Sequence, residues 1–175
     1  DKLFRLSLHE GIRYFRNAFL FFTIAFLIRY VFSSVFLNSY SNTYFVLKIL
    51  FEFFIVMAGF FLLYSLIWKK IEDFASKSSL FNSGILLFYL MTVIIITFDY
   101  VWGTYFFMFF SQIIIFLFAV AISYINFTVD KSQHKFLKFY FIAMVLSLAV
   151  WVLNAFALYF QWNVGIVVNV YAINT

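Results

Sequence analysis

Long apolar segments alternate with short polar segments along the whole chain. The apolar segments cover residues 17–37, 44–68, 78–98, 103–125 and 136–159, and another begins after Asn163. A helix over residues 17–37 would measure about 31 Å, which matches the hydrocarbon thickness of a bilayer. The pattern predicts an all-α, polytopic transmembrane bundle of about six helices arranged in three hairpins.

The composition excludes an ordinary water-soluble domain. Of 175 residues, 66% are hydrophobic and 11% are charged, and the mean hydropathy is +1.03. Soluble domains have about 25% charged residues. Cysteine and proline are both absent, so the sequence offers no disulfide, no thiolate ligand and no proline-broken helix.

Basic residues predict the orientation of the chain. Ten of the twelve Lys and Arg residues fall before the first helix or in the 69–77 and 131–138 regions, and the other two are Arg29 and Lys48. Since Lys and Arg accumulate on the cytoplasmic side, we expect a multi-pass protein with a cytoplasmic N-terminus.

Residues 1–16 form a basic lead-in. If this segment is helical, its basic side chains share one face, because they recur at spacings of three and four. Such a stripe predicts binding to anionic lipid headgroups on the cytoplasmic side, with a dedicated phosphate or phospholipid site as the alternative. The stripe consists of Lys2, Arg5, His9, Arg13 and Arg16.

Residues 17–175 are expected to form a single transmembrane domain. After the turn marked by Gln161, Trp162 and Asn163, the chain ends at Thr175 inside an apolar segment. The sixth helix would be about 18 Å long, too short to cross a bilayer. We therefore expect a continuation of this helix beyond Thr175.

Charged residues inside the apolar segments are the main candidates for a functional site. Arg29 and Glu52 lie about 12 Å below the outer ends of two successive predicted helices, so their depths match. Lys48 and Asp99 lie nearer the outer surface, and the four charges sum to zero. We expect Arg29 to pair with Glu52, because an isolated charge in a membrane is costly. Asn154 is a neutral polar residue at a comparable place in the fifth helix.

Two interpretations of this cluster remain open. The ion pairs either fix the register of the helices, or they line an outward-opening pocket that binds or conducts an ion or a small polar solute. A binding, transport or sensor module is the first functional hypothesis. The alternative is a non-catalytic accessory or scaffold subunit, whose partners would be other membrane subunits or a second copy of the chain.

Enzyme chemistry is not predicted. The sequence lacks a P-loop, an H-E-x-x-H motif and a Ser-His-Asp arrangement. His9 and His134 both fall at helix ends on the cytoplasmic side, outside the spans where a membrane haem would need them. We therefore predict no catalytic residue, no metal, no cofactor and no nucleic-acid partner.

Two segments of the chain carry a family resemblance. HEGIRYFRNAFLFFTIAFLIRYVF in the first helix and LLYSLIWKK at the end of the second resemble uncharacterised six-helix integral membrane proteins of AT-rich, archaeal genomes. This resemblance covers about the first 70 residues and implies a fold outline without an activity. Phe-rich subunits encoded in organellar genomes have a similar composition.

Overall fold

The computed structural model describes residues 2–32, 41–71, 83–102, 105–129 and 134–159, and nearly all of them are helical. Helix α1 is Lys2–Leu27 and continues into a π-helical segment, Ile28–Phe32. The other helices are α2 (Ser41–Ile71), α3 (Ser83–Trp102), α4 (Phe106–Val129) and α5 (His134–Tyr159). The described ranges contain no β-strand, so the predicted all-α class is confirmed.

Four of these helices are long and apolar enough to cross a membrane. The candidate spans are Phe45–Ile67, Gly84–Trp102, Phe106–Thr128 and Lys138–Ala157. Their length and apolar character support a multi-pass membrane protein. The sixth predicted helix falls in residues 160–175, outside the described residues, so six helices in three hairpins stay a prediction.

Several predicted helix boundaries were wrong because the helices extend further than the apolar segments that predicted them. The basic lead-in and the first apolar segment form one continuous helix, α1. Residues 41–43 and 126–129, expected in polar connections, are helical, and α3 continues past Asp99 to Trp102. The physical reason is that backbone groups near a bilayer must be hydrogen-bonded internally, and no proline stops these helices.

Residues 1–104 form one compact unit. Within it, α1 packs antiparallel against α2, since the Tyr14 ring lies 4.6 Å from the Tyr64 ring and Phe21 contacts both Phe54 and Phe61. The buried apolar positions of α1 and the π-helical segment are separated by four, seven and three residues, which fits the heptad pattern of a left-handed helix pair. These buried residues are Tyr14, Ala18, Ala25 and Ile28.

Helix α2 lies at the centre of this unit because α3 covers another of its faces. The rings of Phe60 and Phe88 stack at 4.8 Å, and Phe53 stacks on Tyr89 at 6.1 Å. These pairs run in opposite directions along the two helices, so α3 is antiparallel to α2. With neighbours on two faces, α2 is buried continuously from Ile55 to Leu62.

Residues 105–175 form the second compact unit. Here α4 and α5 are antiparallel, since Trp151 contacts Phe109 and Phe116 near the start of α4 while Phe141 contacts Tyr124 and Phe127 near its end. Little of α5 is buried, since Met144 and Ala157 are the buried residues of its candidate span. The predicted division into a lead-in and one domain over residues 17–175 stays a prediction.

Candidate functional site

Four charged residues of the first unit lie within about two helical turns along α2, and we call them the ionic layer. The layer consists of Arg29 on the π-helical segment, Lys48 and Glu52 on α2, and Asp99 on α3. Two contacts give the positions of Arg29 and Asp99 along α2: the Arg29 guanidinium carbon lies 5.6 Å from the Phe51 ring centre, and the ring of Tyr100, next to Asp99, lies 5.1 Å from that of Phe45. The antiparallel packing thus brings together charges that are far apart in sequence.

An ion pair within α2 forms the centre of the layer. Lys48 and Glu52 are one helical turn apart, so their side chains share a face, and the Lys48 Nζ atom lies 3.7 Å from Glu52 Oε1. This distance is within ion-pair range but longer than an N–H···O hydrogen bond. The pairing of Arg29 with Glu52, expected from their matching depth, stays a prediction.

The two carboxylates of the layer are fully buried. Glu52 is 1% exposed and Asp99 is 0% exposed. They lie on neighbouring helices, α2 and α3, of the first unit. Within the described part of the chain, Glu52 Oε1 has no hydrogen-bond donor. A buried carboxylate oxygen without a donor is costly, so it marks a place where a positive group is favoured.

Arg29 is held by aromatic rings. Its guanidinium carbon lies 5.6 Å from the centre of the Phe51 ring and 5.7 Å from that of Tyr30. Such cation–π contacts contribute about 0.5–2 kcal/mol each, depending on how far water is excluded. The residue lies in the π-helical segment Ile28–Phe32, and short π-helical stretches frequently occur at functional sites.

Lys48 links the layer to the end of the α2 span. Its side chain is 16% exposed, whereas Glu52 beside it is 1% exposed. The span begins at Phe45, so the Lys48 backbone is about 4.5 Å inside it. A lysine stem can bridge that distance and place its ammonium group at the interface.

Asn154, the fifth predicted site residue, lies on α5 and is half-buried. It therefore belongs to the second compact unit rather than to the first. Its membership of the site stays a prediction.

The basic stripe lies on α1, whose helical backbone gives its members the predicted spacing. Arg13 is half-buried and Arg16 is exposed. The side chains of Lys2, Arg5 and His9 lie outside the described residues. Headgroup binding by this stripe stays a prediction.

Sequence reasoning missed several buried polar residues. Thr92 is fully buried, and its Oγ1 donates to the Phe88 carbonyl at 2.7 Å and lies 3.2 Å from Met57 Sδ. The buried polar residues outside the ionic layer are Asn17, Thr92, Gln112 and Ser123. In the sequence, each of these residues is a single polar residue inside an apolar segment. An exposed polar residue gives the same pattern, so the sequence does not show which of them are buried.

The described residues contain no group of three or more His, Cys, Asp or Glu side chains that could hold a metal ion. Comparisons with protein-family models, curated proteins and solved structures find no match to this chain.

Proposed function

We propose that this chain is a membrane-embedded binding module, of the transport or sensor type, in which the ionic layer binds an ion or a small polar solute. The observation that carries the proposal is the complete burial of Glu52 and Asp99 inside helices apolar enough to span a bilayer. Charged residues placed this way are rare, and they commonly mark ion or solute pathways.

The composition of the layer supports this function over a purely structural one. Lys48 is too far from Glu52 Oε1 for a hydrogen bond, and the second carboxylate, Asp99, adds repulsion. In a cluster that only fixes helix register, a buried carboxylate oxygen is expected to accept a hydrogen bond, and Glu52 Oε1 has no donor in the described part of the chain. The Lys48 side of the layer is also close to the end of the α2 span.

We propose no enzymatic activity, because the ionic layer contains no paired nucleophile and general base. We propose that the chain lies in the membrane with its N-terminus in the cytoplasm, because Lys and Arg are concentrated in the segments that this orientation places there.

Water access to the layer tests the proposal. The natural chain has no cysteine, so a single cysteine can be introduced without background labelling. Ile49→Cys lies between Lys48 and Glu52, and Met57→Cys is a matched control in the fully buried part of α2. In lipid vesicles, a membrane-impermeant thiol reagent should modify position 49 and leave position 57 unmodified. Equal protection of both positions would contradict a binding role.

A scaffold subunit is the second candidate, and one observation favours it. The α5 span is 6% buried and presents large apolar side chains, with Phe139 74% exposed and Leu146 61% exposed. Either lipid or a partner subunit covers such a face in a membrane. A scaffold predicts a dry ionic layer together with co-purification of a partner that α5 crosslinks.

A further inference from the structure

We infer that the ionic layer is a site for one monovalent cation, which takes the place of the Lys48 ammonium beside Glu52. The inference rests on the proposed function and specifies its ligand. Lys48 then acts as a tethered cation that competes with the free one.

Two buried carboxylates make the ionic layer attractive to a cation. Glu52 and Asp99 lie on neighbouring helices, are buried, and carry like charges when ionised. Two negative charges in a medium of low dielectric constant strongly favour a positive charge between or beside them.

The unsatisfied oxygen of Glu52 is a second, independent observation. Oε1 is buried, has no hydrogen-bond donor in the described part of the chain, and faces Lys48 Nζ at 3.7 Å. An ammonium group at this distance supplies charge without a hydrogen bond. A small cation or a proton can approach this oxygen more closely than Lys48 does.

Lys48 has a second position available. Its backbone lies about 4.5 Å inside the α2 span, and its side chain is already partly exposed. The stem can extend to the interface and leave the ammonium group in water, as lysines near span ends commonly do. The ionic layer then loses a positive charge while its carboxylates remain buried.

Charge balance sets the valence of the ligand. With Lys48 in place, the two cations and two anions of the layer sum to zero; with Lys48 withdrawn, Arg29, Glu52 and Asp99 leave one net negative charge. One monovalent cation restores neutrality, whereas a divalent cation would leave an excess positive charge in the membrane. The described charged groups at this level are those four, and the nearby tyrosines, Tyr30 and Tyr100, are both exposed.

Cation titration of the full chain in neutral lipid nanodiscs tests the inference. Thermal stability is followed against NaCl and KCl, with N-methylglucamine chloride keeping the ionic strength constant, and separately against pH at fixed salt. Sodium or potassium dependence identifies an alkali cation, and pH dependence alone identifies a proton. The response should disappear in Glu52→Gln, because the binding carboxylate is lost.

Lys48→Gln is the decisive variant, because removing the tethered competitor should tighten cation binding by about tenfold or more. Lys138→Gln, at the start of the α5 span, removes an exposed lysine and should leave the affinity unchanged. The double variant Lys48→Gln/Glu52→Gln keeps the layer neutral, so it should fold even if Glu52→Gln does not, and it should lack the response.

Three results would overturn the inference. Weaker cation binding in Lys48→Gln would show that Lys48 assists rather than competes. A wild-type protein without any cation or proton response, yet labelled at position 49 by the thiol reagent, would overturn the cation while leaving the proposed function intact. Absence of both the response and the labelling would overturn both.

Discussion

At the scale of single residues, burial rather than charge distinguishes the ionic layer. Seven acidic residues occur in the chain, and Glu52 and Asp99 are the two that the described structure buries completely. The free-energy cost of burying these two carboxylates is reduced by the positive charge of Lys48 and by the position of the layer near the end of a span. Substitutions in this layer should therefore have large and mutually dependent effects.

A double-mutant cycle tests the predicted pairing of Arg29 with Glu52. Arg29→Ala and Glu52→Ala should each lower the thermal stability, and the double variant should lose less than the sum, with a coupling of about 1–3 kcal/mol. The physical reason is that removing one charge leaves its partner buried without compensation. The Lys48 and Glu52 pair, 3.7 Å apart, is the positive control. Additive losses for Arg29 and Glu52 would show that these two side chains do not interact.

At the scale of helices, close packing depends on small residues at the contact between α1 and α2. Ala18 and Ala25 are both 0% exposed, one heptad apart on the buried face of α1. Tyr14 and Phe21 fill the turns on either side of Ala18 through ring contacts with α2. Alternating large and small side chains allow two helices to pack without voids.

Ala25→Leu should destabilise the first unit by about 1–3 kcal/mol, because a larger side chain at this buried contact forces α1 and α2 apart. Unfolding in detergent, followed by circular dichroism, measures the change. The matched control is Ala149→Leu, the same substitution at an exposed position of α5. Similar losses at both positions would contradict the α1–α2 contact described above.

Gly84→Ala should leave the stability unchanged within about 0.5 kcal/mol, or raise it slightly, because alanine has the higher helix propensity. An added Cβ atom would lie 3.5 Å from Tyr64 Cε2, an ordinary van der Waals contact. Gly84→Leu has to displace the Tyr64 ring and should lower the thermal midpoint. A loss for Gly84→Ala as large as that for Gly84→Leu would mean that α2 and α3 approach more closely here.

At the scale of the whole molecule, the main prediction is which connecting segments lie on which side of the membrane. Each compact unit contains antiparallel helices, and the three-hairpin layout stays a prediction. The excess of Lys and Arg in residues 69–77 and 131–138 predicts that both segments face the cytoplasm. The pairing of α4 with α5 is a contact that the sequence pattern did not single out.

Single cysteines report the sides of the membrane. In intact cells, an impermeant thiol reagent should reach Ser39→Cys and leave Ser76→Cys and Ser132→Cys unmodified until the membrane is permeabilised. The expected result follows from the Lys and Arg near the last two positions. Modification of Ser76→Cys and Ser132→Cys from opposite sides would rule out the predicted topology.

The sequence by itself determined the helical class, the multi-pass character and the identity of the charges inside the apolar segments. Helical spacing and long apolar segments carry this information locally, and a charge such as Arg29 is evident wherever the surrounding residues are apolar. The Lys48–Glu52 pair could also be predicted from the sequence, since residues four apart share a helix face. Helix ends were less predictable, because polar residues near a membrane surface remain helical.

Tertiary structure alone decided how these charges are placed relative to one another and how deeply each is buried. Asp99 is separated from Glu52 by 47 positions in the sequence, and only the antiparallel contact of α3 with α2 places the two carboxylates on packed neighbouring helices. The π-helical segment around Arg29 and the burial of Thr92 against Met57 depend in the same way on packing between helices. Side-chain packing sets these features, and helical periodicity contains no information about which neighbouring helix covers a given face.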